Sequence, residues 1–111
     1  MLIRIVRMHF NEAMINDFIE IFNHNKKVIR HFPGCTHLQL LKDPNDPLCY
    51  TTLSHWNSPQ DLENYRTSEL FGKVWKSVKP LFYKKSEAFS LEQLTEPGTD
   101  TDLLEHINKH R

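Results

Sequence analysis

The sequence has few glycines, few cysteines and no excess of charge of either sign. Three glycines beside seven phenylalanines, three tyrosines and two tryptophans are typical of a folded chain rather than a disordered one. Fourteen basic residues balance fourteen acidic ones, so no net field attracts nucleic acid or an anionic membrane. We therefore predict neither a nucleic-acid nor a membrane partner.

We also predict neither a secretory leader nor a membrane-spanning run. Residues 1–10 contain Arg4 and Arg7 within their apolar stretch and offer no small-residue cleavage site. The two cysteines, Cys35 and Cys49, are expected on adjacent strands but not opposite each other, which disfavours a disulfide. These observations favour a cytoplasmic protein with reduced thiols.

Four segments have the composition of β-strands. The first is apolar on both parities, as expected of a central strand, and the second and third flank a polar, proline-rich turn. A turn centred on Asn45 predicts a hairpin in which Leu40 lies opposite Tyr50. The predicted strands are residues 2–10, 35–42, 48–56 and 86–94.

Two helices are predicted between these strands. Apolar residues spaced by threes and fours indicate a long first helix, with Asn11 as its N-cap and residues 33–34 as its end. Ser58 as cap and Pro59 at the first helical position begin the second helix, which breaks near Thr67. The resulting order is β-α-β-β-α-β.

This order predicts an α+β, ferredoxin-like fold with both helices on one side of an antiparallel sheet. Residues 1–94 form the domain, and residues 95–111 form a C-terminal tail whose pattern permits a short helix. The uncovered side of the sheet would expose more apolar surface than soluble monomers usually tolerate, which predicts a homodimer. Its apolar residues are Ile3, Ile5, Leu41, Leu53, Phe89 and Leu91.

Three short motifs occur in a characteristic order: Phe-Pro-Gly-Cys at 32–35, Trp-Asn-Ser-Pro-Gln-Asp-Leu at 56–62, and Ser-Glu-Leu-Phe at 68–71. From Leu2 to about Leu94 the sequence resembles the antibiotic biosynthesis monooxygenase (ABM) family of dimeric α+β barrels. The resemblance implies cofactor-free oxygenation of phenols and quinols or haem degradation, because the family includes both, and it also includes many members without a known activity.

The resemblance does not favour haem degradation. The haem-degrading branch carries an asparagine, a tryptophan and a histidine where this chain has Val6, Tyr65 and Trp75. All three residues differ, and an imidazole ligand for iron is therefore missing.

The polyketide-oxygenase branch matches at one position. It carries an asparagine, a tryptophan and a tyrosine where this chain has Thr52, Trp56 and Leu62. Only the tryptophan is retained.

Trp56 is the centre of the predicted site. It shares a sheet face with Thr52 and Ser54. Its ring could therefore stack on a flat substrate while its N–H donates a hydrogen bond. The alternative is that Trp56 is a core residue that holds the second helix in place. Tyr65 could orient a quinol through its hydroxyl. The predicted catalytic residues are Trp56, Tyr65 and Thr52, and the predicted substrate-binding residues are Val6, Ser54, Phe71, Trp75 and Phe22.

Cofactor and metal sites are not predicted. No glycine-rich phosphate loop or dinucleotide fingerprint is present. His9, His37 and His55 fall on the sheet face away from the helices, but their spacing matches no metal motif. Neither cysteine has the setting of a nucleophile.

The leading interpretation is a cofactor-independent monooxygenase of a small, flat phenol or quinol. Such a substrate, once deprotonated, can pass an electron to dioxygen itself. The alternatives are a non-catalytic dimer that binds a small hydrophobic molecule and, second, a haem-binding or haem-degrading oxygenase.

Overall fold

The computed structural model describes residues 1–96 and contains a four-stranded antiparallel sheet in the order β2-β3-β1-β4. The central strand β1 pairs with both β3 and β4, and β2 is an edge strand. The fold is α+β and ferredoxin-like, as predicted. The strands are β1 (Leu2–Phe10), β2 (Cys35–Lys42), β3 (Cys49–Trp56) and β4 (Phe82–Glu92).

Within the described part of the chain, three α-helices cover one side of this sheet. No helix in residues 1–96 is long and apolar enough to cross a membrane. The helices are α1 (Ile15–Arg30), α2 (Pro59–Arg66) and α3 (Glu69–Val78), with 3-10 turns at Glu12–Met14 and Lys79–Leu81.

Serine side chains cap the N-termini of α2 and α3. Ser58 Oγ accepts a hydrogen bond from the Asp61 amide at 3.1 Å, and Ser68 Oγ accepts one from the Phe71 amide at 3.1 Å. The predicted start of the second helix and its break near Thr67 are therefore confirmed.

Two predictions for the first helix were wrong. Asn11 does not cap it, because the Asn11 side-chain amide instead donates to the Phe82 carbonyl at 3.3 Å, and a 3-10 turn precedes α1. The spacing by threes and fours includes Phe18, Val28 and Ile29 in the apolar stripe, but Val28 is 56% exposed. Phe18 and Ile29 are buried, as the spacing predicts.

The hairpin register also differs from the prediction, by two residues. Leu40 lies opposite Thr52 rather than Tyr50. The reason is a second local turn: Asp43 Oδ1 accepts from the Asn45 amide at 2.8 Å, and Asp46 Oδ1 accepts from the Leu48 amide at 3.0 Å. Because side chains alternate with a period of two, this shift leaves the residues from His37 to Lys42 on their predicted faces. An irregularity between Cys35 and His37 places Cys35 beside Trp56.

The last strand begins at Phe82, four residues before the predicted start. Phe82 pairs with Phe10 at the end of β1, and their ring centroids lie 5.2 Å apart. This aromatic contact extends the β1–β4 ladder back to the 3-10 turn that follows α3. The predicted C-terminal tail, residues 95–111, lies outside the described residues apart from residues 95 and 96.

The sheet therefore has two different faces. Toward the helices, one core cluster forms around Met8, Phe10, Phe18 and Val78, and a second around Cys35, Trp56 and Leu62. The opposite face carries the predicted apolar set, and Phe89 and Leu91 there are 43% and 49% exposed.

Gly34 fixes the position of α2 against the start of β2. Its φ of +89° lies in the left-handed region, and a Cβ there would overlap the Asp61 side chain. The Gly34 carbonyl also accepts from the Asn57 amide at 2.9 Å.

We expect Gly34→Ala to lower the free energy of unfolding by about 2–3 kcal/mol, through left-handed strain and the overlap with Asp61. Gly72→Ala is the matched control, because a Cβ at Gly72 in α3 meets nothing within 4 Å. It should raise stability by up to about 1 kcal/mol through helix propensity. Urea unfolding of both variants tests this, and the m-value should not change. Equal effects of the two substitutions on the free energy of unfolding would contradict the role given to Gly34.

Candidate functional site

A cavity of about 310 Å³ lies between the helices and the sheet. Its volume is at the lower end of the roughly 300–1,000 Å³ usual for small-molecule sites. All eight predicted site residues line it. They are Val6, Phe22, Thr52, Ser54, Trp56, Tyr65, Phe71 and Trp75.

Trp56 is fully buried at the end of β3 and has 0% exposure. Its indole N–H donates to Ser54 Oγ at 2.9 Å, so this donor is already engaged within the protein. The ring stacks on Tyr65, with centroids 5.0 Å apart and planes at 25°. Trp56 therefore belongs both to the core and to the cavity wall, and it presents an apolar ring to the cavity rather than a free N–H.

Tyr65 lies on α2 between aromatic neighbours. The rings of Phe32 and Phe71 approach it edge-on at 5.3 and 5.2 Å. Burial, followed by the nearby Cys35, raises the pKa of Tyr65 to about 12. At neutral pH its phenol is protonated, so it can donate a hydrogen bond but is a poor base.

Two guanidinium groups give one part of the cavity a positive charge. Arg66 forms an ion pair with Glu63 at 3.1 Å, whereas Arg4 has no acidic partner within 4 Å among residues 1–96 and donates to Ser90 Oγ at 3.2 Å. Burial and then the charge of Arg66 lower the pKa of Arg4, as expected for neighbouring cations.

The parity of β1 places Arg4 on the helix side, but the sequence did not single it out as a site residue, and Arg66 and Ser86 were missed. Arg66 directly follows Tyr65 at the end of α2, and that adjacency was an available signal. Ser86 was assigned to the first position of the last strand, which hid its place in the middle of β4.

The histidines in the described strands lie on the opposite face of the sheet, as predicted. The rings of His37 and His55 are 4.7 Å apart. Burial, followed by His37, lowers the pKa of His55. Among residues 1–96, no histidine, cysteine, lysine or carboxylate lines the cavity.

A sequence model of the family described as antibiotic biosynthesis monooxygenase (ABM) matches residues 1–77. This segment contains β1 to β3, α1, α2 and most of α3. A search of curated proteins finds no match.

Several solved structures have a similar fold. A crystal structure described as antibiotic biosynthesis monooxygenase is 16% identical, has a TM-score of 0.79 and covers 86% of this chain and 100% of that chain. Rv0793 from Mycobacterium tuberculosis is 15% identical, with a TM-score of 0.79 and coverage of 87% and 98%. A conserved protein from Methanosarcina mazei Go1 is 16% identical, with a TM-score of 0.78 and coverage of 83% and 92%. At these identities the likeness concerns the fold alone.

The raised pKa of Tyr65 predicts a late tyrosinate transition. In a rapid pH-jump ultraviolet titration, the difference between wild type and Tyr65→Phe should show a midpoint near 12. Below about pH 10 the Tyr65 phenol is protonated in both the folded and the unfolded state. Between about pH 10 and pH 12 only the unfolded state releases this proton. The free energy of unfolding therefore falls over this range, by about 2–3 kcal/mol in all.

The matched control for this titration is Tyr83→Phe, which alters an exposed tyrosine of β4. It should leave the transition near 12 in place. A Tyr65 midpoint near 10 would show that the phenol is not buried as described.

Proposed function

Because the chain belongs to the antibiotic biosynthesis monooxygenase family, we propose that its cavity binds a small, flat phenol or quinol that dioxygen oxidises there without a cofactor. The observation that carries this proposal is an aromatic cavity with an arginine that has no acidic partner within 4 Å among residues 1–96. Such a cavity suits a planar molecule with one anionic oxygen.

The aromatic walls support a planar ligand. Trp56 and Tyr65 form one stacked pair, and Phe71 and Trp75 form another, with centroids 6.0 Å apart and planes at 9°. Planar rings offer large apolar area at little cost in conformational entropy. A volume near 310 Å³ limits the ligand to about one or two fused rings.

The charge of Arg4 supports an anionic substrate. A guanidinium that is partly removed from water interacts more strongly with a phenolate than with a neutral phenol. Binding therefore favours the ionised substrate and lowers its effective pKa. Tyr65 and Thr52 can add neutral hydrogen bonds to the same oxygen.

The ionised substrate supplies every electron that the reaction needs. A phenolate transfers one electron to dioxygen, and the resulting ring radical and superoxide combine at a ring carbon that bears hydrogen. Protonation gives a hydroperoxide, and loss of water across the C–H and O–O bonds leaves a ring carbonyl. One oxygen atom enters the quinone and the other leaves as water. The protein binds the substrate, orients it and excludes bulk water.

A second candidate function is ligand binding without reaction. The observation in its favour is that no residue lining the cavity, among residues 1–96, has a side chain that readily accepts a proton near pH 7. Oxygenation then requires a substrate that is acidic enough to ionise beside Arg4. Calorimetry and oxygen uptake with a panel of naphthohydroquinones separate the two functions: tight binding with no uptake would reject the oxygenase proposal.

We expect Arg4→Gln to lower kcat/KM for oxygen uptake by about 10- to 100-fold, because a charge-assisted hydrogen bond contributes about 1.5–3 kcal/mol. The fold-loss in kcat should be largest at low pH, where the bound substrate depends most on Arg4 to ionise, whereas the fold-loss in kcat/KM should not change with pH. Lys73→Gln removes an exposed charge from α3 outside the cavity and should change the rate less than about twofold. Equal rates for wild type and Arg4→Gln would contradict the role of Arg4.

We also propose that two copies of the chain pair through the open sheet face. Ile3, Ile5, Phe89 and Leu91 lie there in register across β1 and β4, and part of this apolar surface is exposed. A formal net charge of zero means that two copies do not repel each other.

Light scattering after size exclusion should therefore give a dimer for wild type and a monomer for Phe89→Glu, which places a charge in the apolar face. The matched control is Val28→Glu, an equally drastic change at an exposed position on α1. It should remain dimeric. A monomeric wild type, or dissociation of both variants, would reject pairing through this face.

A further inference from the structure

Three groups that bind metals meet at the end of β1, on the sheet face opposite the cavity. His9 and Cys49 lie directly opposite each other on β1 and β3, and Asp46 lies in the turn that precedes β3. A ring nitrogen of His9, a carboxylate oxygen of Asp46 and the sulfur of Cys49 all lie within 4.8 Å of one another. The turn is tied to β3 by the Cys49 amide, which donates to the Asp46 carbonyl at 3.2 Å.

His9 is held in one orientation with one nitrogen unused. It is 3% exposed, and its Nε2 lies 2.8 Å from Glu87 Oε1 on β4. A carboxylate can only accept a hydrogen bond, so Nε2 carries a proton, and in the neutral ring Nδ1 has the free lone pair. Within residues 1–96, Nδ1 is buried without a hydrogen-bond partner.

The orientation of the ring fits a ligand on the β3 side. The two nitrogens of an imidazole point to different sides of the ring, and Nε2 faces Glu87 on β4. Nδ1 is therefore the nitrogen that can face Cys49 on the other neighbouring strand. A buried acceptor without a partner is costly, and a bound cation would satisfy it.

The surrounding charges fit a divalent cation. Asp46 and a deprotonated Cys49 together carry two negative charges. The Arg7 guanidinium lies 3.9 Å from Cys49 Sγ, but carboxylate oxygens of Asp43 and Glu87 also lie 3.9 Å from it. These two carboxylates offset the positive charge of Arg7 near the sulfur.

We propose that His9, Asp46 and Cys49 form a zinc site that fastens the β2–β3 turn to the sheet. Nitrogen, thiolate sulfur and carboxylate oxygen are the ligand types of protein zinc sites. Donor atoms in tetrahedral zinc sites lie roughly 3.3–3.7 Å apart given the usual bond lengths. The distances between the three donor atoms must therefore shorten by at most about 1.5 Å. Asp46 lies in a turn, so its carboxylate can make this movement.

Glu87 is the positioning residue of this site. A metal-bound histidine usually donates its other N–H to a carboxylate, which fixes the tautomer and makes the ring a better ligand. The His9–Glu87 hydrogen bond has this arrangement. Three protein ligands also leave a fourth position for water or another small ligand. The site shares no residue with the cavity and does not depend on the proposed oxygenase function.

Cobalt titration of the full chain under reducing conditions tests the site. Wild type should bind one Co²⁺ at this site with a sulfur-to-metal charge-transfer band, and Zn²⁺ should displace it. Cys49→Ser should abolish the band, whereas Cys35→Ser, which alters the other buried cysteine, should retain it. Zn²⁺ should also raise the Tm of wild type, because it binds the folded state.

Asp46→Asn tests the site without altering a fully buried residue. Asparagine retains the oxygen that accepts from the Leu48 amide but removes the charged ligand, so cobalt affinity should fall by roughly tenfold or more. Asp43→Asn is the matched control, since Asp43 accepts from the Asn45 amide in the same turn. Glu87→Gln should weaken binding by about 10- to 100-fold and leave the charge-transfer band in position.

Other histidines must be separated from this site. His106 and His110 stand four residues apart in the sequence, so the double variant His106→Ala/His110→Ala should bind cobalt with the same band and affinity. Absence of the charge-transfer band in wild type, or equal affinity for Asp46→Asn and Asp43→Asn, would overturn the proposal.

Discussion

The alternation of side chains along the central strand β1 is the constraint on which the site depends. Both neighbours of β1 are antiparallel strands, so each residue from Leu2 to Arg7 lies in a row with partners on β3 and β4. Val6 aligns with Thr52 and Ala88 beneath the helices, whereas Ile5 aligns with Leu53 and Phe89 on the other side. A shift by one residue on any strand would exchange the two rows.

This separation gives the two faces different chemistry. The helix side collects aromatic rings, hydroxyls and two arginines around the cavity, where positive charge is available but few groups can accept a proton. The other side collects the histidines, a cysteine and apolar surface. Stacking and charge stabilisation are therefore available on one face, and nitrogen and sulfur ligands on the other. Neither face alone contains both sets of groups.

Much of this arrangement could be predicted from the sequence, because it depends on local rules. The parity of β1 and β3 placed Trp56 beside Ser54, and Ser58 with Pro59 fixed the start of α2. The register error came from local turns within residues 43–48. Another error came from an interaction between distant residues. Asn11 was expected to cap a helix because its neighbours fit a cap, but the Phe82 carbonyl, 71 residues away, takes its amide. The bond from Trp56 to Ser54 likewise depends on the rotamers of two buried side chains, and the sequence does not determine these. The triad of His9, Asp46 and Cys49 was missed because it combines a strand end, a turn and a cross-strand pair.

The placement of the two tryptophans has a practical consequence. The sequence contains only Trp56 and Trp75, and both line the same cavity. Indole emission responds to the polarity of its surroundings and is quenched by quinones and other electron acceptors in contact with the ring. All of the tryptophan fluorescence of this protein therefore originates at the cavity wall. The native chain carries its own optical reporter of cavity occupancy, with no background from tryptophans elsewhere and no need for an attached label.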